Sequence, residues 1–146
     1  MRNKLYNRIV LGTEVFSGSW GVNFSSSEIK KILIFGYRNG IREFDSSPSY
    51  GKKKHEVEKI LGPILKKEKL NFKINTKFTI NKFLLKDNKK LLKDLNNQLE
   101  NSLKSLKVDT IDNYFFHSGT DTEFFNDEVW DFLYQKKKKG LIKNLC

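Results

Sequence analysis

Apolar residues recur along this chain with two alternating periods. Arg8 to Leu11 is a short β-branched run that Gly12 and Thr13 stop. A loop follows with Gly18, Trp20 and Gly21. Ser25 and Glu28 then stand at capping-box spacing, and Ile29, Ile32, Leu33 and Gly36 continue at helical spacing. Gly40 is placed to end that helix. Ile41 to Phe44 reads as a second strand. His55 to Lys67 reads as a helix with Val57, Ile60, Leu61, Ile64 and Leu65 on one stripe. Gly62-Pro63 predicts a kink or a break at Leu61, because proline disfavours a helix interior. Phe72 to Phe78 is a third strand, followed by a polar stretch. Asn88 to Lys107 is the clearest helix, with Leu91, Leu92, Leu95, Leu99, Leu103 and Leu106 on one face. Ile111 to Phe116 is a fourth strand ending at His117. After the Ser118 to Asn126 loop, Asp127 to Lys139 reads as a helix that buries Val129, Trp130, Phe132 and Leu133. Gly140 ends it, and Leu141 to Leu145 begins a fifth strand.

Strands alternating with helices imply a parallel sheet covered by helices. Two architectures fit. One is a doubly wound sheet. The other is an α/β (β/α)8 TIM-type barrel, of which the chain carries about the first four βα units and the start of strand five. The doubly wound sheet predicts a glycine-rich phosphate turn after the first strand. Gly12-Thr-Glu-Val-Phe-Ser-Gly18 is no such turn, which favours the barrel. No repeat or low-complexity linker divides the chain, so residues 1–146 are expected to form one partial domain.

Composition changes this picture little. Hydrophobic residues make up 38% and aromatics 13%, mostly Phe, which recovers buried area. Alanine is absent. The formal net charge of +11 raises anionic partners. The lysines, however, are spread over helices and the Lys136–Lys139 run, without the Arg and aromatic interleaving of phosphate-tracking surfaces. Most of that charge reads as solvated surface, with no nucleic-acid partner expected. Cys146 is the single cysteine, so no intramolecular disulfide forms and a reducing compartment is expected. The first seven residues lead into no long apolar segment, and Ile32 to Phe35 is far too short to span a bilayer. A cytoplasmic protein without membrane partners is the expectation.

The chemistry gathers at strand ends. Asp45 follows the second strand and Tyr50 lies in the Ser/Pro turn beyond it. Lys77 ends the third strand and His117 the fourth. In a parallel barrel these ends converge on one mouth. A carbonyl accepting hydride needs a proton donor at its oxygen, and tyrosine, at a reference pKa of about 10, is a weak acid near neutrality. A lysine ammonium beside it is expected to lower that value. An aspartate holds the lysine, and a histidine can donate a hydrogen bond to the carbonyl. Side-chain alternation also sends Glu43, Asn75 and Asn113 to the inner face. These polar groups are expected to partner one another or water.

With those residues in place, the chain resembles an aldo-keto reductase over nearly its whole length. Arg8-Ile-Val-Leu-Gly-Thr13 resembles the family's first strand and Gly-Thr turn. Asn39 to Gly51 resembles its Gly-Ile…Phe-Asp-Thr-Ala/Ser…Tyr-Gly signature, and Thr76-Lys77-Phe78 its Thr-Lys strand end. Ser102 to His117 resembles its Ser-Leu…Asp-Tyr-Ile-Asp-Leu…His segment, and Gly140 to Leu145 the opening of its fifth strand. The resemblance implies NADP(H)-dependent reduction of an aldehyde or ketone, or the reverse oxidation of an alcohol or sugar, with NAD(H) as an alternative cofactor. It implies catalytic roles for Tyr50, Lys77, Asp45 and His117, and places Gly12, Thr13 and Asp45 beside the cofactor. It implies no metal. The family's remaining cofactor contacts lie on later strands, beyond Cys146. A truncated, non-catalytic fragment acting as an interaction module is therefore the alternative, and its open sheet edges are expected to favour self-association. Glu14 stands where the family often has an aromatic, and Glu58 only approximates the family's glutamate. Trp20 and the Ser118–Phe125 loop are candidate pocket linings, but the substrate is not legible.

Overall fold

A computed structural model describes residues 8–117 and 119–146. Five parallel strands form one sheet: β1 (Val10–Gly12), β2 (Glu43–Asp45), β3 (Lys73–Phe78), β4 (Ile111–Phe116) and β5 (Ile142–Leu145). Between them run α1 (Ser26–Arg38), α2 (Glu56–Glu68), α3 (Asn88–Leu106), the short α4 (Asp121–Phe124) and α5 (Asp127–Lys138). Single 3-10 turns occupy Glu14–Ser17 and Lys82–Leu84.

The spatial order of the strands is their order in sequence. A doubly wound sheet reverses direction at a switch point, so this order belongs to the barrel alternative. β1 and β5 pair on one side only among the described residues, leaving the two open edges that the sequence implies.

Each helix forms for local reasons. Ser25 accepts from the Glu28 N–H while Glu28 returns a bond to the Ser25 N–H, so the capping box of α1 is complete. Asn39, not Gly40, is its C-cap, and Gly40 follows with φ +100°. Asp87 caps α3 and Asn126 caps α5, each through its side-chain oxygen.

The expected break at Leu61 does not occur: α2 runs unbroken through Pro63. Pro63 lies on the exposed face. The carbonyl that loses its helical partner there belongs to the exposed Lys59, where solvent can satisfy it. Gly62 has a different task. A Cβ there would stand 2.1 Å from the Ser105 carbonyl oxygen and 2.7 Å from the Leu106 carbonyl carbon. Glycine lets α2 cross the end of α3 backbone to backbone.

The core lies entirely between the sheet and the helices. Leu33, Phe44, Leu61 and Ile74 fill it on the β1–β3 side. Phe78, Tyr114, Leu95 and Val129 fill it on the β3–β5 side. The other face of the sheet carries a polar row beside Val10 and Phe115. Asn144 donates to Asn113 Oδ1 at 3.0 Å, Asn113 to Asn75 Oδ1 at 2.7 Å, and Asn75 to Glu43 Oε1 at 2.8 Å. The three asparagines are register partners on adjacent strands. Glu43, Asn75 and Asn113 thus share the inner face and partner one another, as alternation requires, with Asn144 as a further member.

Candidate active site at the strand ends

The site begins with where the strands stop. Asp45 is the last residue of β2, and Lys77 is the penultimate residue of β3 on the same face. Between them the chain turns sharply, the Tyr50 N–H reaching back to the Ser47 carbonyl at 3.1 Å. Gly51 closes the turn at φ +120°. A Cβ there would lie 2.6 Å from that of Glu56, so only glycine fits. Glu56 Oε2 accepts from the Lys52 and Lys53 N–H groups and fastens the turn to the start of α2.

This brings Asp45, Tyr50 and Lys77 together. Lys77 Nζ lies 2.7 Å from both carboxylate oxygens of Asp45, 2.7 Å from the Ser46 carbonyl and 3.1 Å from the Tyr50 hydroxyl. The phenol in turn donates to Asp45 Oδ2 at 3.1 Å. All three ammonium protons are used: one towards the carboxylate, one to the backbone, one to the phenol oxygen. The lysine side chain is 12% exposed and the aspartate 30%. The carboxylate offsets the cost of enclosing the ammonium.

The expectation that Lys77 brings the Tyr50 pKa below its ordinary value does not hold in this arrangement. Burial pushes the phenol up, and the charge of Asp45 and its hydrogen bond add to the rise. Burial is the main physical reason, and the phenol's own hydrogen bond to Asp45 adds to it, because both favour the protonated form.

His117 follows β4 and is anchored by its N–H to the Phe78 carbonyl at 2.9 Å. Desolvation and the Lys77 charge push its imidazole below the ordinary value, while Asp45 and Glu14 pull the other way. The net direction leaves a neutral ring near pH 7. The ring feels the cluster's charges but makes no hydrogen bond to it among the described residues.

Gly12 faces open space, with nothing within 4 Å of where a Cβ would be. Thr13 is fully buried, and its N–H and hydroxyl both donate to the Asp45 carbonyl, at 3.0 and 2.8 Å. It clamps the strand end, and its hydroxyl proton is committed to that bond. Of the candidate pocket linings, Trp20 is 69% exposed, and Ser118 lies outside the described residues, as do residues 1–7. Phe124, Phe125, Trp130 and Cys146 border a groove beside β5.

Three features of the site go beyond the sequence reading. The Ser46 carbonyl holds Lys77 through backbone, which no residue type announces. Glu14 stands close enough for its charge to act on both Tyr50 and His117. A buried carboxylate, Glu58, reaches Thr76 beside Lys77 at 2.6 Å. The sequence offers Glu58 as an approximate match to a family glutamate, and its bond to Thr76 is what the fold adds.

Comparison with known proteins follows the same geometry. The family model described as "Aldo/keto reductase family" matches residues 8–146. A solved protein from Pseudomonas aeruginosa described as an aldo-keto reductase superposes with TM-score 0.75 at 26% identity, over 92% of this chain and 51% of that one. A thermostable aldo-keto reductase solved with the inhibitor epalrestat gives 0.72 at 25% identity, over 93% and 47%. An aldo/keto reductase from Klebsiella pneumoniae, solved with NADP and acetate, shares the fold at TM-score 0.70 and 17% identity, over 93% and 43%. No curated protein sequence matches the chain. The chain spans about half the length of the solved structures it matches. No described helix is long and apolar enough to cross a membrane, and none of these similarities supports self-association.

Proposed function

Because the chain belongs to the aldo/keto reductase family, we propose that Asp45, Tyr50 and Lys77 form the proton-donating half of an oxidoreductase site. The reaction is NADP(H)-dependent reduction of an aldehyde or ketone, or the reverse oxidation of an alcohol or sugar. The observation that carries this reading is the Tyr50 hydroxyl, held at 3.1 Å from both Lys77 Nζ and Asp45 Oδ2 at the strand ends. Residues 8–146 are read as one unit, the first half of a barrel, and the activity is that of a whole barrel.

The strand ends fit a nicotinamide cofactor. Gly12 leaves open space where any side chain would intrude, and Asp45 lies beside it in register. When bound, the dinucleotide supplies the hydride, as NADP chemistry does generally. The protein's residues handle the proton. Tyr50 donates it to the carbonyl oxygen as that oxygen gains charge. Lys77 steadies the phenolate left behind, and Asp45 keeps Lys77 in place. The neutral His117 imidazole can donate a hydrogen bond that orients the carbonyl.

The test is direct. NADPH fluorescence is titrated with the chain, and NADPH consumption is followed with a panel of aldehydes and ketones. Tyr50→Phe should lower turnover by roughly 10²–10⁴-fold, the usual contribution of a positioned general acid, with circular dichroism and NADPH binding unchanged. Full turnover by Tyr50→Phe would reject Tyr50 as the acid.

A further inference from the structure

Away from that cluster, one carboxylate among the described residues is completely buried. Glu58, in the first turn of α2, has no exposed surface. Its Oε2 lies 2.6 Å from His55 Nδ1, and its Oε1 accepts from the Thr76 hydroxyl at 2.6 Å. A buried carboxylate without partners is strongly unfavourable, and here each oxygen has one.

The two partners belong to two different parts of the site. Thr76 is the β3 residue before Lys77, so the two side chains leave opposite faces of one strand. His55 closes the turn that carries Tyr50. Its N–H donates to the Pro48 carbonyl at 2.8 Å, and the Val57 N–H donates to the Tyr50 carbonyl at 3.3 Å. His55 holds φ at +63°, an unfavourable conformation for a residue with a side chain, so its surroundings must fix it. The Ser47–Ser49 turn and His55 line a cavity of about 110 Å³ together with Lys77 and Gln98, so packing is incomplete there. Hydrogen bonds supply the remaining restraint on the turn.

We propose that Glu58, through His55 and Thr76, is a positioning residue that clips the Tyr50 turn to β3 and so sets the distance from the phenol to Asp45 and Lys77. Glu58 touches no reacting atom. The clip lies on the helix side of the sheet and the contact it governs lies on the other. Its consequence for turnover rests on Tyr50 being the acid. Its geometric effect does not, so the two can be separated.

The experiment follows the ring-carbon NMR signals of tyrosine in the 146-residue chain through a pH titration, with Tyr50 assigned from Tyr50→Phe. The unaltered chain should show a Tyr50 midpoint above the ordinary value. Thr76→Val removes the hydroxyl at constant shape. It should move that midpoint down by about one pH unit or more, as the phenol leaves Asp45 and gains solvent. Thr76→Ser, which keeps the hydroxyl, should restore it. Should Thr76→Val fail to fold, Glu58→Gln is read the same way. Equal Tyr50 midpoints in folded Val and Ser variants would overturn the clip, as would an ordinary midpoint in the unaltered chain. In turnover, Thr76→Val should lower kcat with KM unchanged. A shifted midpoint with unchanged kcat would keep the clip and reject Tyr50 as the acid.

Discussion

The helix-covered face of the sheet carries Leu11, Phe44, Ile74, Phe78 and Tyr114. The opposite face carries Gly12, Glu43, Asp45, Asn75, Lys77 and Asn113. The first is held by burial: Phe44, Phe78 and Tyr114 have no exposed surface, and Phe44 and Phe72 meet edge to face at 5.8 Å. The second is held by directed bonds, an amide row ending on Glu43 and an ammonium wrapped by oxygen. Apolar contact tolerates imprecision because it has no direction. Hydrogen bonds do not, because geometry decides whether they exist. The face that sets stability and the face that sets chemistry thus follow different rules on the same strands.

Four substitutions probe that contrast. Phe44→Ala empties the centre of the apolar face and should lower stability by about 3–5 kcal/mol, the usual range for a buried Phe. Chemical denaturation would measure it, and a loss below about 1 kcal/mol would show that the covered face is not packed as described. Gly62→Ala tests the same layer from the helix side. Its methyl would meet the α3 backbone, and overpacking of this kind should remove about 1–3 kcal/mol. Thermal melting would show the loss, and an unchanged or raised Tm would contradict the close crossing. Asn75→Leu probes the polar face. It leaves the Asn113 amide and Glu43 Oε1 short of partners, for a loss of about 1–2 kcal/mol. Asn113→Leu combined with it should then add less than it removes alone, because the bond between them is already gone. Full additivity would show that the row is not coupled.

The same contrast explains what the sequence could reveal. Periodicity reports burial, so the strands and helices that hide Phe44, Leu61 or Leu95 are visible in the pattern of residues itself. Strand ends in a parallel sheet converge by topology, so Asp45, Lys77 and His117 are legible as one end of the fold, and Tyr50 as their neighbour. Direction is not legible. The fall expected for the Tyr50 pKa assumes that lysine dominates, whereas burial of the phenol, together with the charge and hydrogen bond of Asp45, reverses it. The break expected at Leu61 follows from proline's general cost inside a helix, whereas here Gly62 takes the buried position and Pro63 the exposed one. The Ser46 carbonyl carries no signal in residue type at all. Glu58 is visible as a residue, but its link from Thr76 to the Tyr50 turn needs three-dimensional contact between positions 18 apart.

Asp45, Tyr50 and Lys77 all lie within β2, α2 and the strand that follows, the outer pair only 32 positions apart. One right-handed crossover is enough to bring them together. The entropy of closing that loop grows only slowly with its length, and contacts of short sequence separation form early and fast. The side chains of the Asp45–Tyr50–Lys77 cluster are therefore encoded within a single βαβ unit, and its integrity depends first on the thirty-odd residues that span it.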